Sequence, residues 1–194
     1  MVDRLIHLDQ QLFLWLNSLH SPLFDFIMYW MSDKLIWTPL YAFLLFLMIR
    51  KYQSRTWLVL LMIALLVVLT DQLSVALFKN VFHRLRPCHE PMLEGMVRTL
   101  FDQCGGQYGF ISSHACNTAG IAVLAGLLLR PGVRWLLPVL TGWSVVVSYS
   151  RIYLGVHYPA DVIVGMLFGA GLGYLVYRLF LFINSRLKVT EPAG

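Results

Sequence analysis

Four runs of apolar residues, at 57–82, 112–129, 135–149 and 159–183, most constrain what this chain can become. Each approaches the roughly 20 residues that an α-helix needs to cross a hydrocarbon core. Two weaker runs come first: 12–31, interrupted by Asn17, His20, Pro22 and Asp25, and 35–49. Residues 5–19 place Leu5, Leu8, Leu12, Trp15, Leu16 and Leu19 at helical spacing with polar residues between, a pattern that also suits a helix lying along the membrane interface. The expectation is an all-α polytopic membrane protein: a six-helix transmembrane bundle, or five spans with an interfacial first helix. Composition agrees, with 58% hydrophobic and 13% charged residues, where soluble domains average about half and a quarter. One membrane-embedded domain, 1–194 with a core at 70–183, accounts for the length. The net charge of +5 does not point to nucleic acid, because the basic residues are scattered between apolar runs. Asp3 and Asp9 interrupt the start, so no cleavable signal peptide is expected.

With six spans, Arg4, the loop residues Arg50, Lys51, Arg55, Arg130 and Arg134, and the C-terminal Arg178, Arg186 and Lys188 share one side. That side holds the larger share of the basic residues, which marks it as cytoplasmic. Lys34, Lys79, Arg84, Arg86, Arg98 and Arg151 fall on the other, together with three polar stretches at span edges: 79–87, 112–114 and 150–161. The connection at 84–110 on that outer face contains Cys88 and Cys104. A disulfide persists outside the cytoplasm, so a bridge closing this loop is expected, with two free thiols as the alternative. Cys116, within a run, reads as a small core residue.

The first polar stretch sets Lys79 and Arg86 seven residues apart, two turns of a continuing helix, with Pro87 ending it. Two cations on one face suit an oxyanion, and the Arg fork suits phosphate in particular; interfacial snorkelling explains the pair equally well. In the second stretch, Ser112 before an apolar run reads as an N-cap. The first turn then offers unpaired N–H groups to an anion, and His114 just inside it is placed to give a proton to a leaving oxygen. The third is the most specific. Pro159 fits the first position of a helix, which puts Asp161 in its first turn, able to reach back to His157. A carboxylate on one imidazole nitrogen leaves the other as a nucleophile or base. Arg151 adds a third cation.

Together these stretches resemble the type-2 phosphatidic acid phosphatase superfamily, whose pattern is Lys-x6-Arg-Pro, Pro-Ser-Gly-His and Ser-Arg-x5-His-x3-Asp. The first and third match at every defined position; the second has Ile111 for Pro and Ser113 for Gly. The resemblance implies that His157 attacks phosphorus with Asp161 orienting it, and that His114 protonates the leaving oxygen and then activates water. Lys79, Arg86, Arg151, Ser112 and the N–H of Ser113 would hold the phosphate oxygens. It implies no cofactor or metal. The substrate would be a membrane lipid phosphate or diphosphate of the undecaprenyl pyrophosphate, phosphatidylglycerol phosphate, phosphatidic acid or lipid A type. The expected location is a bacterial inner membrane with the site facing the periplasm or exterior, and no obligate protein partner is evident. A phosphotransferase, a vanadium haloperoxidase, and a transporter or lipid-binding protein remain as alternatives.

Other polar residues read as structural. Asp71, eight residues before Lys79, lies about 80° around an ideal helix from it and reads as a contact inside the bundle. His83 and His89 read as solvated loop residues, and Gly165, Gly169, Gly171 and Gly173 as small residues for close helix packing.

Overall fold

The computed structural model describes residues 2–100 and 104–189; the side chain of Lys188, counted above among the cytoplasmic charges, lies outside them. The helices are α1 (Val2–Ser18), α2 (Pro22–Ser32), α3 (Thr38–Tyr52), α4 (Thr56–Ser74), α5 (Asn80–Phe82), α6 (Ser113–Leu129), α7 (Leu136–Tyr153) and α8 (Pro159–Val189). A π-helical turn, Val75–Lys79, joins α4 to α5. Among the described residues there is no strand, only a bridge between Leu85 and Tyr108. The run at 12–31 is two helices, because Ser21 caps α2 by accepting from Phe24 N and Pro22 opens it.

Polar contacts define two ends of a bundle. At one end Lys51 Nζ and Tyr52 OH donate to Leu128 O, and Arg55 reaches Asn184 Oδ1 at 3.0 Å. At the other, Lys79 meets Ser113 and the Ser112 amide donates to Asp161 O. The helices α3, α4, α6, α7 and α8 run between these ends. In contrast, α1 lies across the second end. Its Asp9 accepts from Ala160 N at the start of α8, and its Asn17 donates to Tyr153 O at the end of α7. Asp9, Phe13 and Asn17 form its inward stripe, with Phe13 edge-on to Tyr158. Leu5, Leu8, Leu12 and Trp15 are exposed on it, as is Leu19 just after it. The short α2 crosses the same end, Asp25 meeting Tyr153 and Ser32 meeting Arg151.

Large apolar side chains also face outward along the running helices, among them Phe46, Leu61, Val68, Leu167 and Phe182. Two stretches, Leu35–Phe82 and Pro159–Leu187, are long and apolar enough to cross a membrane, and Ser113–Leu129 is a shorter apolar helix. These features mark an integral membrane protein.

Between such helices burial from water supplies little, so close packing must hold them. The tightest seam is α6 on α8. A Cβ at Gly165 would sit 2.7 Å from Ser112 O, one at Gly173 2.5 Å from Gly120 O, and one at Gly169 would overlap the Cys116 carbonyl. Three glycines spaced by four thus let the two backbones touch, which fixes the N-terminus of α6 against that of α8. Gly171 meets open space.

The seam makes a clean pair of variants. G169A is expected to lower the melting temperature of the detergent-purified protein by roughly 3–10 °C, from an overpacking cost of about 1–3 kcal/mol. G171A should leave it level or slightly raised. Equal effects from the two would contradict this packing.

Candidate active site

The loop between α7 and α8 carries His157. Gly155 turns it at φ +77°, and a Cβ there would lie 2.6 Å from Arg98 O, so only glycine lets this turn close against the 84–110 loop. Asp161, fully buried in the first turn of α8, is held on both oxygens. Oδ1 takes Arg84 Nη1 at 2.8 Å and Oδ2 takes Tyr158 N at 3.0 Å. His157 Nδ1 stands 3.6 Å from Oδ2. On the far side of the ring, Arg86 Nη1 lies 3.2 Å from Nε2. Arg has only donors, so this contact fixes Nε2 as the acceptor and leaves the proton on Nδ1, beside Asp161. Burial above all, then Arg86, Arg151 and Lys79, holds the His157 imidazole well below its ordinary pKa. The ring is neutral, with the Nε2 lone pair aimed outward.

It faces a cavity of about 670 Å3. Lys79, Arg86, Ser113, His114 and Arg151 line one part of it with His157, and Leu44, Met48, Ile63, Leu66 and Leu124 line a long apolar part. Lys79 Nζ is steadied by Ser113 Oγ at 2.9 Å, so the serine standing at the resembled family's glycine position anchors a cation. Arg151 is steadied by Ser32. The buried Nε atoms of Arg86 and Arg151 have no hydrogen-bond partner among the described residues. Three cations, an α6 N-terminus and a nucleophilic nitrogen therefore surround one space, an arrangement suited to holding and attacking a phosphate.

Two expectations are corrected. Lys79 and Arg86 do not share a helix face: α5 ends at Phe82 and His83 takes the left-handed conformation at φ 46°. The loop instead brings Arg86 round, pinned by Arg86 N to Gln107 O and Gly109 N to Arg84 O. Ser112 does not line the cavity. It is buried, its hydroxyl spent capping α6 and its amide spent on Asp161 O.

Cys88 and Cys104 form a disulfide, which holds Gly105 over the Arg86 guanidinium. With His89 these sulfurs are close enough together to suit a metal, but the bridge occupies them. His89 Nε2 lies 3.1 Å from Gly105 O, and the His83 ring packs on Tyr108.

Sequence reasoning missed the clamp behind Asp161. Arg84 bridges Asp161 to Asp9, at 2.6 Å, with its guanidinium 4.0 Å from the Tyr158 ring centroid. Arg84 occupies an unspecified position of the first motif, and the available signal was Asp9, which shares one face of an amphipathic helix with Phe13 and Asn17. Lys34 and the pair Asp71 and Asn117 also line the cavity.

The sequence pattern of the PAP2 superfamily matches residues 55–185. A lipid A 4'-phosphatase of Bacteroides thetaiotaomicron is 34% identical over 99% of this chain and 85% of its own length. One of Porphyromonas gingivalis is 37% identical over 99% and 81%. Among solved structures, the transmembrane PAP2 type phosphatidylglycerolphosphate phosphatase from Bacillus subtilis superposes with a TM-score of 0.67 at 20% identity, over 98% of this chain and 90% of that one. Aquifex aeolicus LpxE gives 0.61 at 25% identity, over 87% and 93%. The chain belongs to the PAP2 superfamily, in its membrane phosphatase branch, and is an enzyme.

R84M keeps packing on Tyr158 but removes a charged partner from a buried carboxyl group. It is expected to lower kcat for phosphate release about 10- to 100-fold, at a cost of roughly 1.5–3 kcal/mol, with KM little changed. A variant with normal kcat would show that Asp161 needs no such support.

Proposed function

We propose, taking membership of the PAP2 superfamily as the premise, that this protein hydrolyses a phosphate ester or diphosphate of a membrane lipid through a phosphohistidine. The observation that carries the reading is the placement of His157 Nε2, 3.2 Å from Arg86 Nη1, in a cavity also lined by Lys79 and Arg151. Nε2 attacks phosphorus as the bond to the leaving oxygen breaks, and His114 gives that oxygen its proton. Asp161 balances the charge that develops on the ring. His114 then takes a proton from water, which attacks the phosphohistidine; inorganic phosphate leaves and His157 is regenerated. Lys79, Arg86, Arg151, Ser113 and the α6 N-terminus hold the equatorial oxygens throughout. Positioning and charge stabilisation of this kind supply most of phosphoryl-transfer catalysis.

The apolar part of the cavity supports a lipid substrate. It follows α6 from Ser113 to Ala125, about 18 Å of helix, more than half of a hydrocarbon core of roughly 30 Å. A lipid chain fits there with its phosphate at the cations. Two relatives matched along nearly the whole chain bear the name lipid A 4'-phosphatase. We therefore place a lipid A-type phosphate ahead of undecaprenyl pyrophosphate, phosphatidylglycerol phosphate and phosphatidic acid.

In the membrane, α3, α4, α6, α7 and α8 would cross while α1 and α2 rest at the outer interface. Arg50, Lys51, Arg55, Arg130 and Arg134 then mark the cytoplasmic end, and Arg4 falls on the site side. The site would face the periplasm or exterior of a bacterial inner membrane.

The test is phosphate release from a panel of these four lipids by detergent-purified protein in excess chelator, beside H157A. Chelator-resistant release that falls at least about 1,000-fold in the variant is expected. Release requiring a divalent metal, or surviving in H157A, would contradict the mechanism.

A further inference from the structure

The apolar wall of the cavity is interrupted at one level. Asn117 lies one turn beyond Ser113 on α6, and Asp71 lies three residues before Ser74, whose hydroxyl is 3.3 Å from Ser113 Oγ. They therefore stand about 4.5 Å (Asp71) and 6 Å (Asn117) along their helices from the serines at the phosphate cradle. Asn117 Nδ2 donates to Asp71 Oδ1 at 2.8 Å, and Thr70 Oγ1 donates to Asn117 Oδ1. This pair fixes the carboxyl group's direction. No described residue hydrogen-bonds Asp71 Oδ2, and the side chain lines the cavity together with Leu66, Val67, Ile121 and the Lys79 ammonium, with which it interacts electrostatically.

Asp71 is exposed at the cavity wall, so its second oxygen meets whatever fills the cavity. A polyisoprenoid chain running past it offers no hydrogen-bond donor, and neither do the ester groups of a glycerolipid. A hydroxyl or amide N–H a few bonds from the phosphate does. We propose that Asp71 Oδ2, aimed by Asn117, accepts a hydrogen bond from such a donor on the substrate. The preferred substrates are then phosphorylated lipids whose backbone carries hydroxyl or amide groups beside the phosphate, such as acylated amino sugars or amino alcohols. Sites built to bond a substrate OH or NH discriminate strongly against analogues lacking it. This inference rests on the phosphatase reading and adds the chemical class of its substrate.

The test compares kcat/KM for ceramide 1-phosphate, with an amide N–H and a hydroxyl beside its phosphate, against chain-matched phosphatidic acid, which has esters alone. It uses the full chain and D71N. In D71N the Asn117 contact persists through the new amide oxygen, so an NH2 donor replaces the acceptor facing the cavity. The unaltered protein should favour ceramide 1-phosphate about tenfold, and D71N should bring that ratio to one or below. A ratio that D71N leaves intact, with both activities falling together, would make Asp71 a structural link and overturn the proposal. So would an unaltered protein with no preference. Release from neither lipid, nor from any of the panel above, would instead overturn the phosphatase reading itself.

Discussion

One buried carboxyl group gathers the parts of this site. The Asp161 carbonyl accepts the amide of Ser112, which caps α6 and so sets where His114 and Ser113 point. Its side chain holds the Tyr158 amide and stands beside His157 Nδ1. Arg84 ties it to the loop after α5 and onward to Asp9 of α1. A charge this deeply enclosed is tolerated only when its partners are all in place. Geometry is therefore enforced: loss of any partner leaves an unpaired group in a dry setting.

The membrane sets the terms for that enforcement. Apolar burial distinguishes poorly between helix neighbours and lipid tails, and what remains is backbone proximity and polar pairing. The Gly165, Gly169 and Gly173 seam supplies the first. Polar pairs between separate segments supply the second: Asn17 with Tyr153, Asp25 with Arg98 of the 84–110 loop, Arg55 with Asn184. Most of them cluster at the site end, where α1, α2 and the disulfide-closed loop cover the tops of the running helices.

Much of this was legible in the sequence. The apolar runs located the helices, and local spacing was enough to put Asp161 within reach of His157, because four residues at a helix start leave few other arrangements. The small residues of α8 were readable as packing. What failed were assumptions of ideal geometry and long-range pairings. The π turn and the left-handed His83 stop the helix before Arg86, and no periodicity signals that. Asp71, read as a contact inside the bundle, does meet Asn117 there, and it also lines the cavity with Lys79. The α1 stripe was visible, but an amphipathic pattern does not say whether its apolar face meets protein or lipid. Arg84 and Asp9, 75 residues apart, meet only because the fold brings them together.

The central claim is that His157 itself carries the phosphoryl group between lipid and water. The direct measurement is to mix the purified protein with a radiolabelled lipid phosphate, quench within milliseconds into alkali, where phosphohistidine survives, and map the label by peptide mass spectrometry. Label on the peptide containing His157, rising and decaying as phosphate is released, is the predicted result. Turnover without label on His157, or label confined to another residue, would contradict it and leave direct attack by water or another nucleophile to explain the site.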